Sequence, residues 1–274
     1  MSNQNSENSN HSEETGNKHE VTGDFLKTLE RGLIVIKSFQ DSPSLTISEA
    51  AVRSGLSRPV TRRVLLTLEN LGYATLKDGR FSLTTKILSL GYSYLSSHNI
   101  WEIAQPHLEQ LSKKVDESSS LSILDNTHVV YVARVSVNKI MNYSLGVGTR
   151  LPAHATSPGK LLLAYLPEEK LDYYFEQAEL RAITEKTIIS EAQIREELKR
   201  IRKNGWALSH DQLELGLISV AAPVRDIRGK IVAAVNCPTH SGRVDINKVI
   251  NEYLPFVLET AEQISNNIEF EIIQ

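Results

Sequence analysis

Two short amphipathic helices follow one another in the segment TISEAAVRSGLSRPVTRRVLLTLENL, which spans residues 46–71. Thr46 and Glu49 form the capping-box pattern that predicts the start of the first helix. Gly55 can adopt the left-handed conformation that ends this helix. Ser57 is placed to cap the second helix, and a proline is tolerated in the first turn that follows it. The pattern therefore predicts a helix, a tight turn and a second helix.

The second helix has an apolar face and a basic face when its residues are spaced at about 100°. The apolar face carries Val60, Val64, Leu68 and Leu71. The opposite face carries Arg58, Pro59, Arg62 and Leu66, with Arg63 at its edge. This arrangement is typical of a helix-turn-helix, whose second helix enters the major groove of DNA. An ordinary helical hairpin with a solvated basic face has the same local pattern.

The neighbouring residues favour DNA binding. Residues 73–77 and 81–83 alternate like strands around Asp78-Gly79, which is a strong hairpin signal. An earlier apolar series predicts a first helix that packs behind the other two. This series is Leu29, Leu33, Ile36 and Phe39 or Gln40. Three helices and a hairpin make a winged helix-turn-helix. We therefore expect DNA contacts from Ser57, Arg58, Pro59, Thr61, Arg62, Arg63 and Arg80.

The remainder of the chain mixes helical and strand patterns. The apolar stripe of residues 85–97 predicts a linker helix, and its apolar positions could form a dimer seam or face their own domain. We expect further helices within residues 100–115, 157–166, 168–177, 191–204 and 245–268. We expect strands at residues 120–126, 128–136, 139–145, 206–211, 217–226 and 230–237, with residues 146–155 as a loop. Because hairpins connect several strands, the predicted fold class of this second domain is α+β, an antiparallel sheet flanked by helices.

These patterns divide the 274 residues into a polar tail, 1–20, a DNA-binding domain, 21–84, a linker helix, 85–98, and a second domain, 99–274. The tail has too few apolar side chains to form a core, so we expect it to be disordered. Residues 21–86 carry a net charge of +4 although the whole chain carries −3. The positive charge thus lies where phosphate attraction requires it. The single cysteine, the lack of a signal pattern and the lack of a membrane-length apolar run predict a cytoplasmic protein.

Catalytic and metal-binding patterns are weak in this sequence. His154 lies near Ser157, and Cys237 lies near His240, but neither pair has a third orienting group at a recognisable spacing. No metal-ligand array is present, and Gly146-Val147-Gly148 does not complete a dinucleotide-binding pattern. We therefore expect neither an enzyme nor a bound cofactor or metal.

Longer motifs resemble those of the IclR family of bacterial transcription regulators. They are GYATLKDGRFSLTTKILSLG, VVYVARV, VGTRLPAHATSPGKLLLA and LELGLISVAAPVRDIRGKIVAAVN, and the similarity extends from about residue 22 to the C-terminus. Within the family, YVARV, GTRLPAHATSPGK and VAAVN are similar to the branch that controls β-ketoadipate-pathway genes. The resemblance implies a winged DNA-binding domain, a linker helix and a GAF-like effector-binding domain. It also implies dimers or tetramers on palindromic or repeated operators, and a small aromatic or dicarboxylic acid as effector.

A candidate effector site begins at the helix start Thr156-Ser157-Pro158-Gly159-Lys160. The backbone N–H groups of Gly159 and Lys160 could bind a carboxylate, unless Ser157 already satisfies them. The resemblance implies effector contacts from Ser157, Pro158, Ser209, Leu217, Ser219, Asn236 and Pro238. Arg134 and Arg150 could pair with a ligand carboxylate or with an internal acidic side chain. Tyr143 and His154 could contact an aromatic ring or belong to ordinary core packing.

The expected function is therefore an effector-responsive transcription regulator of aromatic-acid catabolism. The resemblance favours an activator, which contacts RNA polymerase and sometimes also represses its own gene. The expected effector is protocatechuate, with para-hydroxybenzoate or β-ketoadipate as alternatives. A different possibility is a DNA-binding protein whose second domain only mediates dimerisation.

Overall fold

The computed structural model describes residues 25–91, 100–137 and 145–268. They belong to two compact units, Met1–Gly91 and Tyr92–Gln274. The boundary between the units falls inside the predicted linker helix, whose first residues form the 3₁₀ turn Thr85–Ile87. The second half of that linker, the predicted tail and most of the predicted strand 139–145 lie outside the described residues.

The first unit contains three helices and a two-stranded antiparallel hairpin. They are α1 Lys27–Lys37, α2 Ile47–Ser54, α3 Arg58–Asn70, β1 Ala74–Lys77 and β2 Arg80–Leu83. The capping box is present, because the Thr46 side chain accepts from the Glu49 N–H and the Thr46 N–H donates to the Glu49 carboxylate. Gly55 ends α2 with φ +66°, in the left-handed region that favours glycine. The winged helix-turn-helix architecture thus follows from local signals.

The buried face of α3 differs from the predicted one. Thr61, Leu65 and Leu68 are buried, whereas Leu71 is 53 % exposed. The Thr61 hydroxyl donates to the carbonyl oxygen of Ser57 at 3.2 Å, so it can be buried without losing a hydrogen bond. Its assignment to the DNA surface is therefore wrong. The apolar stripe of α3 is wide, and the packing of α1 and α2 decides which part of it faces the core.

The second unit is built on a six-stranded antiparallel sheet in the order β5-β4-β3-β8-β7-β6. Its strands are β3 Ser119–Asp125, β4 His128–Val135, β5 Arg150–Pro152, β6 Ala207–His210, β7 Leu217–Arg225 and β8 Ile231–His240. Its helices are α4 Ile100–Val115, α5 Ser157–Ala164, α6 Glu168–Gln177, α7 Glu191–Asn204 and α8 Leu254–Asn266. The fold class is α+β, as the sequence predicts.

Helices cover both faces of this sheet. One face packs against α4 and α8 through side chains that include Leu121, Val220 and Val235. The other face packs against α5, and α6 and α7 extend the same apolar cluster, which includes Ala221 and Ala234. The sheet is therefore the middle layer of three, and a side chain's position along its strand decides which helices it meets.

Three elements depart from the predicted pattern. The short strand β5 lies within the predicted loop. The predicted closing helix is present, but it is α-helical over Ile246–Lys248, π-helical over Val249–Tyr253 and α-helical again in α8. The last strand continues beyond Cys237 to His240. Within the described ranges, no helix combines the length and apolar character needed to cross a membrane.

Candidate functional site

The start of α5 is fixed by Thr156 rather than Ser157. The Thr156 side chain accepts a hydrogen bond from the Gly159 N–H at 3.2 Å, and its carbonyl oxygen accepts from the Lys160 N–H at 3.0 Å. A Cβ at Gly159 would collide with the carbonyl oxygen of Ala153, so only glycine allows this close approach. Both N–H groups predicted to bind a carboxylate are therefore already occupied. The anion of a ligand needs a different partner.

A group of polar side chains lies on the sheet face that α5 covers. We call this group the polar patch, and it consists of Ser120, Ser122, Tyr131, Arg134, Ser219 and Asn236. Ser120 lies opposite Arg134 on one side and Asn236 on the other. Residues opposite one another in adjacent strands point to the same face, so three strands contribute to one polar surface. Apart from Arg134, which is partly exposed, the members of the patch are buried.

A β-bulge determines the composition of the patch. Tyr131 pairs with Ser122 and Ala133 pairs with Leu121, which leaves Val132 as an extra residue in β4. Tyr131 and Arg134 are separated by an odd number of positions, and in a regular strand they would point to opposite faces. The extra residue brings both of them to the α5 side.

Ser157 connects α5 to the polar patch. Its hydroxyl donates to the Ser219 hydroxyl at 2.8 Å, and the Asn236 side-chain amide donates to the same oxygen at 3.4 Å. Ser209 donates to the carbonyl oxygen of Ala155 at 3.2 Å and so holds the turn before α5. Within the described residues, the carbonyl oxygen of the Asn236 side chain has no hydrogen-bond partner although it is buried. This end of the patch can accept a hydrogen bond from a ligand hydroxyl.

Arg134 forms the other end of the polar patch. One guanidinium nitrogen donates to the Ser120 hydroxyl at 2.8 Å, and the guanidinium carbon lies 5.3 Å from the centre of the Tyr131 ring. Within the described ranges, Arg134 has no carboxylate partner and its Nε atom has no hydrogen-bond acceptor. Burial lowers the pKa of this arginine. A half-buried cation without an anion can bind an acid.

Other predicted effector residues lie elsewhere or play structural roles. Arg150 is exposed and forms an ion pair with Asp125, at the end of β3 opposite to Ser120. His154 is buried and donates to the carbonyl oxygen of Arg181 at 3.1 Å, and burial lowers its pKa. Leu217 lies two residues before Ser219 in β7, and Pro238 lies opposite Ser219 in β8. Pro158 is buried in the first turn of α5. Tyr143 lies outside the described residues.

Three members of the polar patch were not predicted. Ser120 and Ser122 alternate with apolar residues in a strand that is buried on both faces, and Tyr131 occupies the corresponding place in the next strand. Polar residues at every second position of a buried strand are visible in the sequence, so this pattern could have indicated Ser120 and Ser122. The bulge that adds Tyr131 leaves no local signature in the sequence.

The predicted DNA-binding residues of the first unit lie mostly at the exposed start of α3. Ser57, Arg58, Pro59, Arg62 and Arg63 are all exposed. Arg63 also borders an apolar groove between α1 and α3. Arg80 is held by the Ser44 side chain and backbone and by the Glu49 carboxylate, so it attaches the hairpin to α2.

The geometry does not assemble a hydrolytic site from the described residues. Ser157 donates to Ser219 and His154 donates to a backbone carbonyl, so the two do not form a nucleophile and base. Burial raises the pKa of the Cys237 thiol, which makes it unreactive. No group of metal-ligating side chains occurs in residues 25–91, 100–137 and 145–268.

Both units match models of known protein domains. Residues 28–77 match the IclR helix-turn-helix domain, and residues 92–266 match the C-terminal domain of bacterial transcriptional regulators of the IclR type.

Three proteins illustrate the similarity along the chain. The Pca regulon regulatory protein of Pseudomonas putida is 37 % identical over 89 % of this chain and 85 % of its own length. The p-hydroxybenzoate hydroxylase transcriptional activator of Acinetobacter baylyi is 36 % identical over 89 % and 93 %. The solved inducer-binding domain of a PobR double mutant from Acinetobacter, in complex with 3-hydroxybenzoic acid, is 35 % identical with a TM-score of 0.58, over 61 % of this chain and 98 % of that one.

Proposed function

The chain belongs to the IclR family of bacterial transcription regulators, and from this we propose that it activates aromatic-acid catabolism genes in response to a hydroxylated aromatic acid. It is a DNA-binding regulator and not an enzyme. The proposed effector is protocatechuate, and the proposed role is that of an activator that works with RNA polymerase in the cytoplasm. The names of two relatives, a Pca regulon regulator and a p-hydroxybenzoate hydroxylase activator, support this pathway.

One observation carries the effector proposal: the guanidinium of Arg134 is half-buried and has no anionic partner within the described residues. A ligand carboxylate supplies the missing anion through charge-assisted hydrogen bonds. The other end of the polar patch offers the Asn236 carbonyl oxygen and the Ser157 and Ser219 hydroxyls, which suit a ring hydroxyl. A molecule with a carboxylate at one end and a hydroxyl at the other satisfies both ends. The 3-hydroxybenzoic acid complex of the PobR domain supports this ligand class.

Calorimetry with a panel of acids tests the effector. We expect the full-length protein to bind protocatechuate and to bind benzoate far more weakly, because the hydroxyl-binding groups are then unpaired. The panel also includes para-hydroxybenzoate, β-ketoadipate and cis,cis-muconate. Saturating protocatechuate should stabilise the protein against heat by about 2.7 kcal/mol at a hundredfold excess over Kd. If another acid of the panel binds more tightly, that acid replaces protocatechuate as the proposed effector. If no acid binds, the second unit only mediates dimerisation.

Variants locate the site. Arg134→Met should abolish protocatechuate binding, and Ser157→Trp should block it by filling the space beside Ser219. Operator binding should persist in both. Arg225→Met is the matched control, since Arg225 also lies over a tyrosine ring, that of Tyr165, but is outside the polar patch. Wild-type affinity in Arg134→Met or Ser157→Trp contradicts this location of the site.

We propose that Arg58 and Arg62 contact the operator in the major groove. Both are exposed near the start of α3, the part of a recognition helix that reaches base edges. A base-reading arginine contributes about 1–3 kcal/mol of discrimination, whereas a phosphate contact weakens all sequences alike. Arg62→Ala should therefore weaken specific binding in a gel-shift titration against operator and unrelated DNA. Unchanged operator affinity in both Arg58→Ala and Arg62→Ala refutes the placement of α3.

We also propose that the regulator binds its operator as a dimer or as a dimer of dimers. The exposed apolar residues of the first unit support self-association: Leu26 is 69 % exposed and Leu29 is 61 % exposed, beside the groove between α1 and α3. Half-sites on one face of DNA should lie about 34–36 Å apart or a multiple of that distance. Light scattering tests the assembly, and a monomer with and without operator at micromolar concentration refutes it.

A further inference from the structure

Three side-chain atoms of the polar patch are buried without a hydrogen-bond partner among the described residues. They are Nε of Arg134, the carbonyl oxygen of Asn236 and the hydroxyl oxygen of Ser122. In the proposed function a carboxylate meets the arginine and a ring hydroxyl meets the asparagine, but Ser122 has no role. Buried polar groups are almost always hydrogen-bonded, so this fully buried hydroxyl needs an explanation.

The other two serines of β3 are satisfied by the protein itself. The Ser119 hydroxyl donates to the carbonyl oxygen of Leu108 in α4 at 2.9 Å. The Ser120 hydroxyl accepts from Arg134 at 2.8 Å. Ser119, Ser120 and Ser122 are all fully buried, yet among these three only Ser122 lacks a partner in the described part of the chain. Its hydroxyl therefore does not hold the strand in place.

The strand register places Ser122 beside the two recognition groups of the polar patch. Ser120 lies between Arg134 on one neighbouring strand and Asn236 on the other. Ser122 is two residues further along β3 and so points to the same face, whereas Leu121 packs on the opposite face. Asn236 and Ser122 are thus diagonal neighbours on adjacent strands, about 7 Å apart. A ligand edge that lies between them can meet both side chains.

We propose that Ser122 determines effector specificity by hydrogen-bonding to a second ring hydroxyl. Arg134 binds the carboxylate, Asn236 accepts from one ring hydroxyl, and Ser122 pairs with the adjacent one. The site then selects an aromatic acid with two neighbouring hydroxyls over an acid with one, because the latter leaves a buried group unpaired. This inference rests on the proposed function, since a hydroxylated aromatic acid must occupy the polar patch.

Calorimetry on the full-length protein tests this role with protocatechuate, 3-hydroxybenzoate, para-hydroxybenzoate and benzoate. Ser122→Ala should lower the protocatechuate affinity about tenfold, because one hydroxyl of this ligand loses its partner. The affinity for benzoate should stay within about twofold, and so should that for one monohydroxy acid, the one whose hydroxyl meets Asn236. Denaturant titration without ligand should show no loss of stability, since Ser122→Ala removes no hydrogen bond within the described residues.

Ser119→Ala is the matched control. Ser119 is equally buried in the same strand, but its hydroxyl bonds to α4 on the opposite face of the sheet. This variant should lose stability and keep all four affinities.

Three results overturn the role of Ser122. They are an unchanged protocatechuate affinity in Ser122→Ala, an equal loss for the three hydroxylated acids, and a wild-type protein that binds protocatechuate no more tightly than its better monohydroxy acid. In each case, wild-type binding of a hydroxylated acid leaves the proposed function standing. If the wild-type protein binds none of the four acids, the proposed function itself fails.

Discussion

Two cations, Arg134 and Lys160, lie on the same side of the six-stranded sheet with different degrees of pairing. Lys160 is fully buried, and its ammonium donates to the Glu197 carboxylate at 2.5 Å, to the Gln212 side-chain oxygen at 3.2 Å and to the Leu208 carbonyl at 3.3 Å. These contacts match the three donors of an ammonium group. Arg134 has five donors, and the described residues provide one side-chain acceptor, Ser120.

The difference separates a structural cation from the one that we propose binds the ligand. Burial lowers the pKa of both side chains, but Glu197 partly reverses this effect for Lys160. The Lys160 contacts attach α5 to α7 and to the end of β6 and leave no donor for a ligand. Arg134 lies in the same layer, but within the described residues its Nε has no hydrogen-bond acceptor. Pairing, more than burial or charge alone, therefore distinguishes the candidate effector contact from an internal support.

The largest expected effect on stability is in Lys160→Met. Removing the ammonium leaves the Glu197 carboxylate largely buried without its cation, which should destabilise the protein by about 3 kcal/mol. Denaturant titration of the full chain measures this loss. The double variant with Glu197→Leu should recover most of it, because a packed apolar pair can replace a buried ion pair. A single variant as stable as wild type would contradict the structural role of Lys160.

A smaller effect of opposite sign is expected for Arg134→Met without ligand. The substitution removes a half-buried cation that has no anion in the described structure, so stability should stay equal or rise by about 1 kcal/mol. The same denaturant titration measures this change. A loss as large as that of Lys160→Met would indicate that Arg134 has an internal anionic partner, and the contrast between the two cations would disappear.

A pH titration distinguishes Arg134 from His154 as the anion-binding group. Burial lowers the pKa of His154 below its ordinary value of 6.5, so this side chain is neutral at pH 7. Its contribution to stability is present above pH 6.5 and is lost as the pH falls through its lower folded pKa. Arginine stays charged throughout. The Kd for protocatechuate should therefore change less than about twofold between pH 6 and 8, and affinity that rises steadily on acidification would favour a histidine contact.

The smallest effect is expected for the exposed cation Arg150. Its ion pair with Asp125 is open to solvent, as both side chains are 46 % exposed. Exposed pairs contribute about 0–1 kcal/mol, so Arg150→Ala should cost less than about 0.5 kcal/mol and leave effector binding unchanged. Thermal melting and calorimetry on the same variant check both statements. Weakened effector binding in Arg150→Ala would make Arg150 a candidate effector contact again.

Local signals let the sequence by itself determine the architecture of the first unit. The Thr46 and Glu49 capping box, the Gly55 turn and the Asp78-Gly79 hairpin act through neighbours in the chain, so they can be recognised without a structure. The same is true of α7, whose predicted and observed bounds agree because a helix-ending glycine follows its amphipathic pattern. Ser157, Ser219, Asn236 and Arg134 of the candidate site could also be named from motifs, whereas Ser120 and Ser122 were not.

Only the tertiary structure decided how these residues are used. The face of α3 that is buried depends on the packing of α1 and α2, and this packing placed Thr61 inside. The bulge at Val132 depends on pairing between strands and placed Tyr131 beside Arg134. Arg134 and Arg150 look equivalent in the sequence, but only Arg150 meets a carboxylate in the described structure. Contacts between residues distant along the chain leave no fixed spacing in a single sequence, and these contacts determine which polar groups are satisfied and which remain for a ligand.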